Sequence, residues 1–227
     1  MHKARPGFID IYRAMRARFG FLDWWPGDTP DEILLGAILA QSTSWKNAER
    51  AIANLRAAGL LSVHRIARAR LGALRQAARP SGYYNQKALR LKSICSHIVS
   101  KHHGLAGFFS QDAVALRREL LSLNGIGPET ADSIILYAAE KPVFVIDAYT
   151  RRAVQRIYDE EEERGYDELQ SIIQASIPRD VALYNDFHAQ FVELGKNYCR
   201  KKPLCGRCPL SGICGSAHGE TAHMRIQ

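Results

Sequence analysis

Apolar residues recur along most of this chain at three- and four-residue spacing, while alternating runs are short, so the pattern predicts helices nearly throughout. The clearest start is Thr29-Pro30-Asp31-Glu32: a capping Thr, a Pro at the first helical position and a Glu completing a capping box. From there the pattern runs through Ile33, Leu34, Ala37 and Ile38 to about Gln41. Further helices are predicted over about 45–58, stopping at Gly59, over about 62–77, and over about 86–103, stopping at Gly104. Two short helices, about 113–122 and 128–139, flank the turn Asn124-Gly125-Ile126-Gly127, and three more cover about 148–158, 167–176 and 180–196. Val143-Phe144-Val145-Ile146 has strand composition but is short and isolated, and reads as buried extended chain. The predicted class is all-α, with no internal repeat.

Composition narrows the partners. With 227 residues the chain can build one large domain or two smaller ones. Lys and Arg number 31 against 23 Asp and Glu, and this excess favours a polyanion, nucleic acid before membrane. Mildly basic soluble proteins are common, so charge needs support from motifs. No stretch approaches the roughly 20 apolar residues of a membrane helix, and no long apolar run follows the basic start Met1–Gly7. The expectation is a soluble cytoplasmic monomer without membrane contact. The acidic run Asp159–Glu163 reads as a solvated loop that would face away from phosphate.

Three features carry candidate chemistry. In Leu123–Ala131, two glycines permit a tight turn and close approach of another molecule, and Pro128 opens a helix whose first N–H groups can hold phosphate. The same residues also suit an ordinary helix corner. Asp147 precedes the helix at 148–158, where it can serve as an N-cap, as a functional carboxylate, or as both. Cys199, Cys205, Cys208 and Cys214 have the dense spacing of thiolate ligands for zinc or for an iron–sulfur cluster. Cys95 stands apart in a helical stretch and reads as core.

Taken together, Ile38–Thr43, Gly82–Ala88, Leu123–Asp132, Val145-Ile146-Asp147 and the four cysteines resemble the helix–hairpin–helix, Gly/Pro-rich loop, Asp superfamily of DNA glycosylases, which includes endonuclease III. The resemblance covers most of residues 30–214. It implies a two-lobed helical fold, with a barrel over 30–140 and a second lobe from 1–29 plus 141–227 that carries a C-terminal [4Fe–4S] cluster loop. The active site would lie in the cleft between the lobes. The partner would be double-stranded DNA containing a damaged base. The resemblance assigns a DNA phosphate to the hairpin amides of Gly125 and Gly127, the gap left by the extruded base to Gln41, and the essential carboxylate to Asp147. The lysine that makes some members lyases matches Glu129, eighteen residues before Asp147, and a carboxylate cannot form a Schiff base. Glu129 is then a second carboxylate of the site or a first-turn helix acid. The cluster ligands would be Cys199, Cys205, Cys208 and Cys214, although the first loop is one residue shorter than the family's. That loop, Arg200–Leu204, is basic, and Lys201 and Lys202 suit phosphate.

Glu129, Gly82-Tyr83-Tyr84-Asn85-Gln86-Lys87-Ala88 and Tyr166–Gln170 resemble most the 3-methyladenine branch. That resemblance places Trp24, Trp25 and Trp45 at the base pocket, whereas tryptophans of a small protein are also common in the core. The implied activity is a monofunctional glycosylase for N-alkylated purines. The alternatives are a glycosylase for oxidised pyrimidines or mismatched bases, a non-catalytic damage-binding protein and a zinc-based DNA-binding regulator.

Overall fold

The computed structural model describes residues 5–22, 24 and 27–217. Among these residues the regular elements are helical and none is a strand. In chain order the helices are α1 (Phe8–Phe19), α2 (Pro30–Leu39), α3 (Trp45–Ala57), α4 (Val63–Arg68), α5 (Leu71–Ala78), α6 (Tyr84–His102), α7 (Leu105–Phe109), α8 (Ala113–Ser122), α9 (Pro128–Ser133), α10 (Ala148–Tyr158), α11 (Tyr166–Ser176) and α12 (Val181–Asn197). A π-helical turn, Ile134–Ala138, prolongs α9. The chain divides into two compact units, residues 25–141 and residues 1–24 with 142–227. No helix among the described residues is long and apolar enough to cross a membrane.

In the unit 25–141, α2 is apolar almost all round and its Leu34, Leu35, Ile38 and Leu39 are fully buried, as a central helix requires. It packs on α3, α6 and the π turn. Thr29 caps it by accepting from the Glu32 amide at 3.2 Å. The capping box is not closed in the expected way. The Glu32 carboxylate accepts from the Asp28 amide at 3.4 Å and pairs with Arg56 of α3 at 2.7 Å, because a nearby cation outcompetes a neutral N–H for it. The stretch 62–77 forms two helices rather than one. Ala69 and Arg70 are extended, and the Lys92 ammonium from α6 takes the Ala67 and Ala69 carbonyls at 2.8 and 2.7 Å, satisfying the end of α4.

The unit 1–24 with 142–227 contains α1, which is not among the predicted helices. Its buried Phe8, Ile11, Tyr12 and Met15 follow helical spacing, but Gly7 gives it no side-chain cap to mark the start. The buried Asp186 of α12 accepts from the Tyr12 hydroxyl at 2.6 Å and from the Leu22 amide at 2.8 Å. The Gln190 amide donates to the Gly20 carbonyl at 2.7 Å, so α12 holds the segment after α1 at two points. Val143–Ile146 is buried and lies outside regular secondary structure, so it is not a strand. Its polar groups are met by side chains instead of a ladder: Phe144 donates to Gln174 at 2.9 Å and accepts from Gln170 at 2.6 Å. The acidic run is partly ion-paired. Arg164 lies 2.6 Å from Glu160 and 3.0 Å from Glu168, and Arg151 lies 3.1 Å from Glu163.

Helices α10 and α12 meet at Gly195, where an added Cβ would fall 2.2 Å from the Tyr149 ring. Gly195→Ala is expected to cost about 1–3 kcal/mol, read as a lowered melting temperature, since neither helix backbone can yield. Unchanged melting would mean that Tyr149 simply turns aside.

Candidate active site

Asp147 is the N-cap of α10. Its Oδ1 accepts from the Thr150 amide at 2.7 Å, and its Oδ2 lies 3.6 Å from Nε2 of His188 on α12. The residue is 8% exposed, so the carboxylate sits in a poorly hydrated place with one edge still reachable. Burial pushes its pKa up, but His188 and the Thr150 amide outweigh burial and hold it below the ordinary carboxylate value. Asp147 is therefore an ionised, oriented carboxylate. Both roles read from the sequence are compatible with this geometry, one oxygen capping and the other turned to a histidine.

The indole of Trp24 lies against the His188 ring with centroids 5.6 Å apart, and the Lys196 ammonium stands 5.9 Å over the indole. Trp24, His188 and Asp147 thus form one run of neighbours within a single unit. Trp25 lies outside the described residues. Trp45 belongs to the other unit, where its N–H donates to Glu49 at 2.6 Å and its ring covers Gly36.

In the hairpin, Gly125 takes φ +83°, and a Cβ there would lie 2.3 Å from the Arg90 side chain. Both the positive φ and the close approach require glycine. The Gly125 carbonyl accepts from the Gln41 amide at 3.0 Å, the same amide donates to Thr130 at 2.9 Å, and Arg90 donates to the Gln41 oxygen at 2.6 Å. Gln41 is thus tied to the hairpin from the end of α2. Gly127 is the N-cap of α9, and Ile126 between the glycines is buried. Asp132, fully buried, receives a two-pronged Arg117 at 2.7 and 3.2 Å, which clamps α9 to α8. Glu129 is exposed in the first turn of α9.

Lys87 is 1% exposed and its ammonium donates to the Leu39 and Ser81 carbonyls at 2.8 and 2.7 Å. Burial, with Arg90 nearby, pushes its pKa down to about 8. Both bonds satisfy backbone carbonyls at element ends in the core, so this amine is a structural tie.

Cys199, Cys205, Cys208 and Cys214 line one cavity of about 170 Å³, walled also by Ile157, Leu194 and Leu210. Burial raises the Cys208 and Cys214 thiols, because apolar walls disfavour a thiolate. Four thiols round one cavity are a donor set that zinc or an iron–sulfur cluster can take. The shortened loop closes by a bond from the Leu204 amide to the Tyr198 carbonyl at 2.9 Å. Arg152 and Arg156 of α10 hold the Cys199, Arg200 and Lys201 carbonyls at 2.8, 2.6 and 3.2 Å. Lys201 and Lys202 project into solvent from this pinned backbone.

Residues 35–179 match the model of the HhH-GPD superfamily of base excision DNA repair proteins. The chain belongs to this superfamily. It is a DNA glycosylase of the HhH-GPD family and has that family's all-helical fold. It is 43% identical over 206 residues to "Putative DNA repair glycosylase MJ1434" of Methanocaldococcus jannaschii, covering 90% of this chain and 94% of that one. The H. pylori 3-methyladenine DNA glycosylase bound to 1,N6-ethenoadenine superposes with a TM-score of 0.76 at 29% identity, over 84% of this chain and 98% of that one. A non-covalent endonuclease III–DNA complex, at 20% identity, shares the fold with a TM-score of 0.80 over 94% and 96% of the two chains. In this glycosylase, two neighbours of the motif residues are not readable from the sequence. His188 lies 41 positions beyond Asp147, and Arg90 lies 49 beyond Gln41. No local spacing links either pair.

Proposed function

We propose that this DNA glycosylase is monofunctional and releases N-alkylated purines, such as 3-methyladenine, from double-stranded DNA. The observation that carries the reading is the run from Trp24 through His188 to the ionised, buried Asp147. Breaking an N-glycosidic bond develops oxocarbenium-like positive charge on the sugar. The Asp147 carboxylate stabilises that charge and orients or deprotonates the attacking water. An N-alkylated purine is cationic before it leaves, so it needs little acid catalysis. What it needs is an aromatic face for a flipped, positively charged base. The likeness to a 3-methyladenine glycosylase supports the substrate class.

Two side chains support water as the nucleophile. Glu129 stands at the lyase lysine's position, and the Lys87 amine is held by two carbonyls. Glu129 is a carboxylate and cannot form the Schiff base of a lyase. The Gly125 and Gly127 amides take a DNA phosphate at the start of α9, and Lys201 and Lys202 take another, so binding weakens with salt. Gln41 enters the gap left by the flipped base by exchanging its hairpin bonds for contacts with the orphaned partner. Cys199, Cys205, Cys208 and Cys214 hold a [4Fe–4S] cluster, which supplies a structural cross-link because thiolates fill all its outer positions. A brown protein with broad visible absorbance would bear this out, and a colourless zinc protein would not.

The test is base release from methylated duplex DNA, with strand cutting read with and without hot alkali. Alkylpurine release, with cutting only after alkali and no borohydride-trapped adduct, is the expected result. Release of oxidised pyrimidines or mismatched bases instead would overturn the substrate class. Cutting without alkali would overturn the water mechanism.

A further inference from the structure

Away from the residues assigned to DNA and the cluster, one carboxylate oxygen is crowded by cationic and nitrogen groups. Glu119 of α8 presents Oε1 to His97 Nε2 at 2.6 Å, to His102 Nε2 at 2.8 Å and to the Lys101 ammonium at 2.8 Å. Gln111 also bonds this carboxylate. The Glu119 side chain is 9% exposed and those of His97 and His102 are 28% and 14%, whereas Lys101 is 58% exposed. The two ring nitrogens and the carboxylate oxygen lie within 4.8 Å of one another.

One oxygen offers about two lone-pair directions, so three donors oversubscribe it. Each ring nitrogen must carry a proton to approach the oxygen this closely, or else give its lone pair to a cation lying between them. We propose that His97, His102 and Glu119 form a site for a divalent cation of the zinc class. Two imidazoles and one carboxylate are a donor set that such ions take at bonds of about 2.0–2.2 Å. Tetrahedral bonds of that length need donor atoms only slightly farther apart than they stand here. Lys101, already largely in solvent, swings away as the cation replaces it. The ion then joins the last turn of α6 to α8. Helix α8 ends at Ser122, just before the hairpin, so the ion braces the support of Asn124–Gly127. The five-residue spacing of the histidines hides the site in sequence. The rings converge because His102 is the last residue of α6, followed by left-handed His103.

The test uses the purified protein with its cysteine site as isolated, cleared of loose metal by a mild chelator. Calorimetric titration with Zn²⁺ should show one tight equivalent, and a hundredfold excess over Kd should raise Tm by about 5–10 °C. Both effects should vanish in the H97A/H102A double variant. Lys101→Ala keeps the three ligands and removes the competing ammonium, so it should bind more tightly and also guards against a misfolded double variant. Co²⁺ should give ligand-field bands without intense sulfur charge transfer. Sulfur bands, or equal binding by H97A/H102A, would place the ion on the cysteines and overturn the proposal. So would failure of both parent and Lys101→Ala to bind Zn²⁺.

Discussion

Asp147→Asn is expected to lower the single-turnover rate of base release by on the order of a thousandfold while leaving the fold and DNA affinity nearly intact. Asn is as good an N-cap as Asp, so the bond from the Thr150 amide survives and α10 keeps its start. What disappears is the charge that meets the developing cation on the sugar. A variant that keeps the parent's rate would mean that Asp147 is not the essential carboxylate. His188 sharpens the experiment. Its replacement by Leu removes the group 3.6 Å from Oδ2 and leaves burial unopposed except by the cap. The acid limb of the pH–rate profile should then move up, because the parent carboxylate is held below its ordinary value. An unmoved limb would mean that the cap alone sets the ionisation. The stability linkage follows the same sign. A carboxylate with a depressed folded pKa contributes stability above its unfolded pKa of about 3.9 and loses it as pH falls through the folded value. The Asp147 contribution should therefore be present throughout the neutral range and disappear only in stronger acid.

The second large effect concerns stability. Asp132→Ala should cost about 3–5 kcal/mol, because it leaves Arg117 without the two-pronged partner that it reaches in a fully buried position. By the usual scaling for a chain of this size, Tm should drop by on the order of 10 °C. The double change to Asp132→Leu and Arg117→Met should recover much of the loss, since apolar side chains of similar volume need no partner. If Asp132→Ala melts like the parent, the clamp between α8 and α9 contributes little. The bonds of Gln41 to the hairpin, with Arg90 behind it, would then matter more. Chemical denaturation followed by far-ultraviolet dichroism reads both variants.

Local signals were legible along the chain. Thr29 and Pro30 marked the start of α2, Gly125 announced a turn that only glycine can make, and Asp147 stood where an N-cap belongs. The four cysteines, close in sequence, line one cavity, and Val143–Ile146 is buried and forms no strand. Each of these depends on residues within a few positions of one another, where backbone geometry leaves few choices. Helix α1 also had a readable apolar stripe but no capping side chain, and it escaped for want of a boundary. The break at Ala69 and Arg70 was different in kind. It depends on Lys92 reaching back from α6, a contact that no window over 62–77 contains. The same holds for Glu32 turning to Arg56, for Arg90 gripping Gln41, for Arg117 clamping Asp132 and for His188 facing Asp147. Ion pairs and shared hydrogens between helices depend on which faces pack together. One sequence does not record that pairing, because a charged residue on a helix can point to solvent or to a partner without any change in its own neighbours. Caps, turns and the cysteine spacing were therefore written locally, whereas the electrostatics that tune the carboxylate and brace the hairpin came from packing residues distant along the chain.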